Sequence, residues 1–166
     1  RIYIAADWDG DKDAVEQLHK WNNSNYWGLS FSDAHDLTQA RDSSQNCSIK
    51  KSLSIRLDAS KTFILIVGEN TKTRRSGSCQ YCKSYNSWTY TCARGNFVDY
   101  SSYIEYECKK AINDHLKIIV LYNSTRVDKT KCPDIIKDIG IHIPMCFYSN
   151  GDYYWDYKSV KKALEQ

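Results

Sequence analysis

The sequence predicts an α/β fold in which a five-stranded parallel sheet is covered by helices on both faces. Three observations carry this. Short apolar runs alternate with stretches of helical periodicity along the whole chain. The runs Thr62–Val67 and Leu116–Tyr122 are apolar on both faces, as central parallel strands are. The 166 residues suit a single domain, 1–166, around one core.

Each element follows in order. Arg1–Ala6 reads as the first strand, ended by the polar run Asp7-Trp-Asp-Gly-Asp11. From Lys12 to Asn22, Val15, Leu18 and Trp21 recur at helical spacing, with Asp11 as the expected cap. Tyr26–Phe31 is the expected second strand, and Ser32–Asn46 a polar loop without apolar periodicity. Ile49, Leu53, Ile55 and Leu57 indicate a helix ending near Ser60. Thr62–Val67 is the strongest strand. After it, Lys72–Tyr100 is a long insertion, of a length that in compact domains is usually functional or flexible. Ser102–Asn113 is expected as helix, Leu116–Tyr122 as strand, Pro133–Lys137 as a short helix opened by proline, His142–Phe147 as the fifth strand and Ser159–Glu165 as the last helix. In such sheets ligands bind at the carboxyl ends of the strands.

Composition excludes some classes. A net charge of +3 with scattered basic residues does not argue for nucleic acid, and the runs Lys72–Arg75 and Lys158–Lys162 read as solvated faces. No stretch approaches the roughly 18 apolar residues of a membrane span, and no signal peptide is visible. The chain starts at Arg1, just before a strand, so a few preceding residues are expected. Seven cysteines without a disulfide rhythm fit a reducing, cytoplasmic setting.

Motifs narrow the field further. A dinucleotide fold needs GxGxxG after the first strand, where this chain has one glycine among repelling carboxylates. No P-loop and no flavodoxin-type phosphate loop is present. A phospho-acceptor receiver needs an aspartate at the end of the central strand, which here runs Val67-Gly68-Glu69-Asn70. The acidic run at 7–11 is no EF-hand, because Leu18 stands where the closing glutamate belongs.

The segment FILIVGENT (63–71), followed after the insertion by Ser101-x-Tyr103-Ile104-x-x-Glu107-Cys108, resembles the central signature of TIR-like domains, most closely the bacterial MTH538-type (DUF1863) branch that includes the TIR proteins of Thoeris anti-phage defence. The polar loop after the first strand, the loop at Asp33 and Tyr154-Trp155 before the last helix are similar to that branch too. The chain departs from it in having Tyr103 where tryptophan is commoner, Cys108 after Glu107, and the cysteine-bearing insertion.

The resemblance implies a flavodoxin-like, TIR-like three-layer sandwich. It also implies that Glu107 is catalytic in cleaving or cyclising NAD to ADP-ribose or a cyclic isomer. Spacing is compatible: Tyr103 and Glu107 are i and i+4 and share a helix face, beside an apolar stripe of Ile104, Cys108 and Ala111. Glu105 falls on another side, near Lys109, and reads as surface. Loss of nicotinamide leaves an oxocarbenium-like ribose that a carboxylate can stabilise. The nicotinamide ring is already cationic, so no general acid is essential.

By the same resemblance, Ala6, Asp7 and Trp8 line the floor beside the ribose, and Tyr103 or Trp8 stacks on a ring. Asp33 and His35 belong to a gating loop, and Gly68 and Asn70 allow close backbone approach. Expected partners are NAD, a second copy of the chain and a separate effector acting through the product, with no nucleic acid and no membrane. The competing expectations are a non-catalytic TIR-like module that signals by self-assembly or protein contact, and a nucleotide sensor without turnover.

Cys79-x-x-Cys82 with Cys92 gives three ligands of a zinc site, one short of closure, with Cys47 or Cys132 as the fourth if the fold brings it near. A redox dithiol or plain thiols are the alternatives. Cys108 and Cys146 read as small core residues.

Overall fold

The computed structural model describes residues 1–24, 31–33 and 45–166. The elements are β1 (Ile2–Ala5), α1 (Lys12–Asn23), β2 (Phe31–Asp33), α2 (Asn46–Asp58) and β3 (Thr62–Val67), then a small hairpin of β4 (Tyr85–Asn86) and β5 (Thr91–Cys92). There follow α3 (Tyr103–Asn113), β6 (Lys117–Tyr122), β7 (Ile141–Pro144), β8 (Cys146–Ser149), β9 (Asp152–Trp155) and α4 (Tyr157–Glu165).

The α/β expectation holds. The main sheet is parallel, with β1, β3, β6 and β7 as its body and the three-residue β2 paired to the free edge of β1. Its order is β2-β1-β3-β6-β7. The chain thus leaves β1 in one direction for β2 and returns past it to β3. That reversal opens a crevice at the carboxyl ends of β1 and β3, where doubly wound sheets bind ligands.

Alternation along the strands makes two cores. Tyr3, Ala5, Phe63, Leu65 and Val67 face α2 and α3, meeting Leu53, Leu57, Ile104, Cys108 and Ala111. Ile2, Ile4, Ile64, Ile66, Ile119 and Leu121 face α1 and α4, meeting Val15, Leu18, Val160 and Ala163. Burial on both sheet faces explains why β3 and β6 read as unbroken apolar runs. The start of α3 is fixed by a capping box. Ser102 Oγ accepts from Glu105 N at 3.1 Å, and the Glu105 carboxylate accepts from Ser102 N at 2.9 Å. Such caps contribute about 1 kcal/mol.

Several expectations are corrected. Pro133–Lys137 is not a helix: residues 134–138 form turns after a single 3-10 turn at Lys129–Lys131. The span His142–Phe147 is two strands. Ile141–Pro144 joins the sheet, and beyond Met145 the chain bends into β8, which pairs antiparallel with β9. That hairpin hides in the sequence because only its Cys146–Trp155 pair packs on the core, while Phe147, Tyr148, Tyr153 and Tyr154 are exposed. Asp11 stands at the N-cap of α1 but its side chain caps nothing. The second strand is Phe31–Asp33, so Ser32 and Asp33 leave the expected polar loop, and Asn46 begins α2. Residues 26–30 of the expected strand and 34–44 of the expected loop, with His35, lie outside the described residues.

The insertion is anchored by a cation that no local pattern in the sequence marks. Lys50, 4% exposed, projects from α2 and donates to Asp99 Oδ2 at 3.0 Å and to the Ser101 carbonyl at 2.9 Å. Asp99 Oδ1 in turn accepts from Ser101 N and Oγ. Lys50→Met keeps the apolar stem but strands the acceptors. Because Asp99 is half exposed, the expected loss is on the order of 1–3 kcal/mol. Denaturant unfolding, with limited proteolysis of 72–100, measures it. A change within about 0.5 kcal/mol would show that the bridge does not hold the insertion.

Candidate active site

The crevice between the ends of β1 and β3 is a cleft lined by Ala6, Asp7, Trp8, Arg74, Tyr103 and Glu107, with Asp9, Ser76, Ser102 and Ile104 completing it. Five residues singled out from the sequence, Ala6, Asp7, Trp8, Tyr103 and Glu107, therefore come together. They arrive from two places: the first three from the loop leaving β1, the last two from the opening turns of α3. The capping box at Ser102 sets the direction of those turns and hence of both side chains.

Glu107 lines the cleft yet is only 3% exposed. Its Oε2 accepts a hydrogen bond from the hydroxyl of Tyr3, itself fully buried in β1. Burial pushes the Glu107 carboxyl up to about 8, and the Tyr3 hydroxyl pulls in the opposite direction. At neutral pH the group is held mainly as the acid. Glu105 lies apart. It pairs with Arg75 and not with Lys109, because the capping box turns its carboxylate back toward the helix start.

Asp7 is nearly buried and is clamped by Arg74, with Nε to Oδ1 at 3.1 Å and Nη2 to Oδ2 at 3.0 Å. This two-point contact raises the Arg74 pKa and fixes both planes. The run Lys72–Arg75 is thus not the plain solvated face its composition indicates: three of its members, Lys72, Arg74 and Arg75, pair with acids. Arg74 also borders a second, open hollow with Asn70, Thr73, Arg75, Ser76 and Tyr81.

Gly68 and Asn70 are not in the cleft with Glu107. Gly68 is required for a different reason: a Cβ there would stand 2.0 Å from Asp11 Oδ1. Gly68 and Asp11 line a separate hollow with Glu69, Asn70, Tyr122 and Asn123. Asp11 Oδ1 accepts from Asn123 Nδ2 at 2.9 Å, while its buried Oδ2 has no hydrogen-bond partner among the described residues. Burial first, then the charges of Asp7, Asp13 and Glu69, raise Asp11 to about 6 against the Asn123 bond. Asp33 lies in β2, and its side chain is outside the described residues.

Sequence reasoning missed Tyr3, Arg74 and Ser76. Tyr3 had a signal, a hydroxyl in an otherwise apolar inner strand. Arg74 had none, since its partner lies 67 residues away.

Residues 3–76 match the family model described as the TIR-like domain of the Thoeris protein ThsB. That stretch is similar to a Thoeris TIR-like domain. The expected likeness to a Thoeris-like bacterial TIR protein holds over it, and it supports a TIR-like defence or signalling module, a kind of domain suited to self-association or protein contact. The match runs from Tyr3 within β1 through α1, β2, α2 and β3, takes in Asp7, Trp8 and Arg74, and ends before Tyr103 and Glu107. No curated protein matches significantly. Among the described residues no helix is long and apolar enough to cross a membrane.

The Glu107 geometry has a consequence for stability. Its folded pKa of about 8 lies above the ordinary value of 4.5. Between those limits the folded state keeps a proton that the unfolded state has lost, so stability falls as pH rises. The contribution is fully present below 4.5 and gone above 8, on the order of 4–5 kcal/mol at most. Asp11 adds a slope of the same sign at lower pH, between 3.8 and about 6. Glu107→Gln, which still accepts from Tyr3, is expected to remove the upper slope and to be more stable than the parent at pH 8. Denaturant unfolding at pH 5, 6.5 and 8 tests this; parallel profiles would refute it.

Proposed function

We propose that this chain works as one TIR-like signalling unit that cleaves or cyclises NAD, with Glu107 stabilising the reacting ribose. The carrying observation is the convergence of Glu107 and Tyr103 from α3 with Ala6–Trp8 from β1 in one cleft at the sheet's switch point. The nicotinamide end would enter between Trp8 and Tyr103, and the nicotinamide ribose would face Glu107. The adjoining hollow bordered by Arg74 and Arg75 suits the pyrophosphate.

The chemistry follows from charge. Nicotinamide is bound through a cationic ring nitrogen and leaves as a neutral molecule, so no acid is needed to protonate it. As the bond stretches, positive charge moves to the ribose. A carboxylate beside it gains most at that moment. The bound cation also favours the ionised form of Glu107, drawing its pKa down from the resting value. Capture of the ribosyl cation by water gives ADP-ribose. Capture by another atom of the same molecule gives a cyclic isomer, which a separate effector protein would read in anti-phage defence. The free thiols of all seven cysteines suit a cytoplasmic setting.

One observation favours a second reading. The resting Glu107 carboxyl is shielded, bonded to Tyr3 and mostly neutral. A non-catalytic module that works by self-assembly needs nothing more from it.

The test is incubation with NAD at high protein concentration, with and without a crowding agent, following nicotinamide release by chromatography. Release is expected to rise with pH toward about 8 and to fall by roughly 10²–10³ in Glu107→Gln. The product peak separates hydrolysis from cyclisation. A folded protein that releases no nicotinamide under any condition would leave the assembly reading.

A further inference from the structure

Four of the seven cysteines gather on one small recess. Cys47, Cys79, Cys82 and Cys92 line it together, with Ser84, Tyr85, Asn96 and Phe97 as the remaining wall. They come from three segments that the chain holds far apart: the first turn of α2, the 3-10 turn at Cys79–Tyr81, and β5 of the small hairpin. Cys108 and Cys132 are fully buried in the core between the sheet and α2/α3, and Cys146 packs on the opposite core. We propose that Cys47, Cys79, Cys82 and Cys92 bind one Zn2+ ion as a structural tetrathiolate site.

Local geometry prepares the sulfurs. The pair Cys79-x-x-Cys82 sits on a tight turn closed by Cys82 N to Cys79 O at 3.0 Å. A second turn follows Cys92, closed by Gly95 N to Cys92 O at 2.9 Å, with Gly95 at φ +76°. A turn that places a cysteine and then bends the backbone back offers N–H groups to the sulfur. Asp99 N donates to Cys79 Sγ at 3.3 Å, the backbone of Arg94 and Asn96 donates to Cys92, and Asn96 Nδ2 donates to Cys47 Sγ at 3.7 Å. Hydrogen bonds of this kind orient and stabilise metal-bound thiolates. Four soft thiolates from a C-x2-C pair and two further cysteines suit tetrahedral Zn2+ above harder divalent ions.

The insertion also needs such a constraint. From residue 80 through residue 100 no residue is buried. Tyr81, Trp88, Tyr90 and Phe97 are all exposed, and the two strands of the hairpin have two residues each. A hairpin of that size without an apolar core is marginal on its own, and a structural metal supplies folding free energy directly. The four sulfurs do not meet at one point as the side chains stand: among the described residues no three His, Cys, Asp or Glu side chains are grouped closely enough to hold an ion. The Cys82 thiol instead donates to Gln45 Oε1 at 3.0 Å. Metal binding would replace that bond, and would require the four side chains to turn toward the recess. The ion would also brace the cleft. Asn46, next to Cys47, accepts from the Tyr103 hydroxyl at 3.4 Å and donates to the Ser78 carbonyl at 3.0 Å.

The full chain, purified under reducing conditions without chelator and incubated with Zn2+ and then desalted, is expected to hold one zinc per chain by elemental analysis. A mercurial thiol reagent should release it, as read by a chromogenic zinc indicator. Replacement by Co2+ should give a tetrahedral ligand-field spectrum with a thiolate charge-transfer band, a readout on the unmutated protein. Cys47→Ser and Cys92→Ser are each expected to lose the stoichiometric zinc, and Cys146→Ser to keep it. Folded protein with no stoichiometric zinc and no cobalt–thiolate band overturns the site. Zinc retained in Cys47→Ser or Cys92→Ser overturns the ligand set. Recess cysteines found oxidised to disulfides in the reduced preparation overturn it as well.

Discussion

The hydrogen bond from the Tyr3 hydroxyl to Glu107 ties the first strand to the helix that follows the insertion. It joins two elements 104 residues apart, across the interface that closes the core between the sheet and α3. Burying a carboxyl there without a partner would cost several kcal/mol. With the tyrosine supplied, and with the proton retained, the cost is modest and the register between β1 and α3 is fixed. Everything at the cleft depends on that register. The loop at Ala6–Trp8 continues directly from β1, and Tyr103 sits one turn before Glu107 on α3. A shift of one residue in either element would separate them.

The cleft and the neighbouring acidic hollow show two ways of handling carboxylates at strand ends. Asp7 is buried beside an arginine that meets it at two points, so its charge is matched in place. Asp11 is just as buried and has only an amide on one oxygen, with acids nearby. Its pKa therefore moves up, while the Asp7 contact raises that of Arg74. The side-chain-free face of Gly68 is what lets Asp11 approach β3 at all. The run of repelling acids after β1 is thus divided. Its first member faces the cleft, and its last is folded under the loop at the end of β3.

Much of this was legible in the sequence, for identifiable reasons. The strands Thr62–Val67 and Lys117–Tyr122 announce themselves because burial on both faces demands unbroken apolar runs. Helices α1 and α3 show because one stripe must be apolar, and in α3 Ile104, Cys108 and Ala111 are that stripe. Five of the expected cleft residues meet because strand-end loops and helix starts are forced together at a switch point. What the sequence hid was long-range or composition-blind. The Arg74–Asp7 and Lys50–Asp99 pairs join distant positions, so no local pattern records them. Gly68 reads as room for a ligand, but a glycine in a strand-end loop looks the same when the room is taken by Asp11. The β8–β9 hairpin escaped because all its aromatics but Trp155 are exposed, and Pro133 opens a turn because no apolar stripe follows to hold a helix.

The insertion is part of the cleft and not an ornament beside it. Arg74 and Ser76, which line the cleft, belong to its first turns. Gly77, at φ +97°, lies so close to Tyr103 that a Cβ would stand 2.6 Å from the ring, and Ser76 O accepts from Tyr103 N at 2.8 Å. The far end of the insertion returns to α3 through Asp99 and Ser101, where Lys50 holds both. Tyr103 is therefore gripped on one side by the start of a segment that, from residue 80 through residue 100, buries no residue. Its position inherits whatever orders residues 76–100, whether packing, the Lys50 anchor or a metal. The segment that interrupts the repeating strand–helix rhythm thus borders the cleft at one end and carries Trp88, Tyr90 and Phe97 exposed at the other.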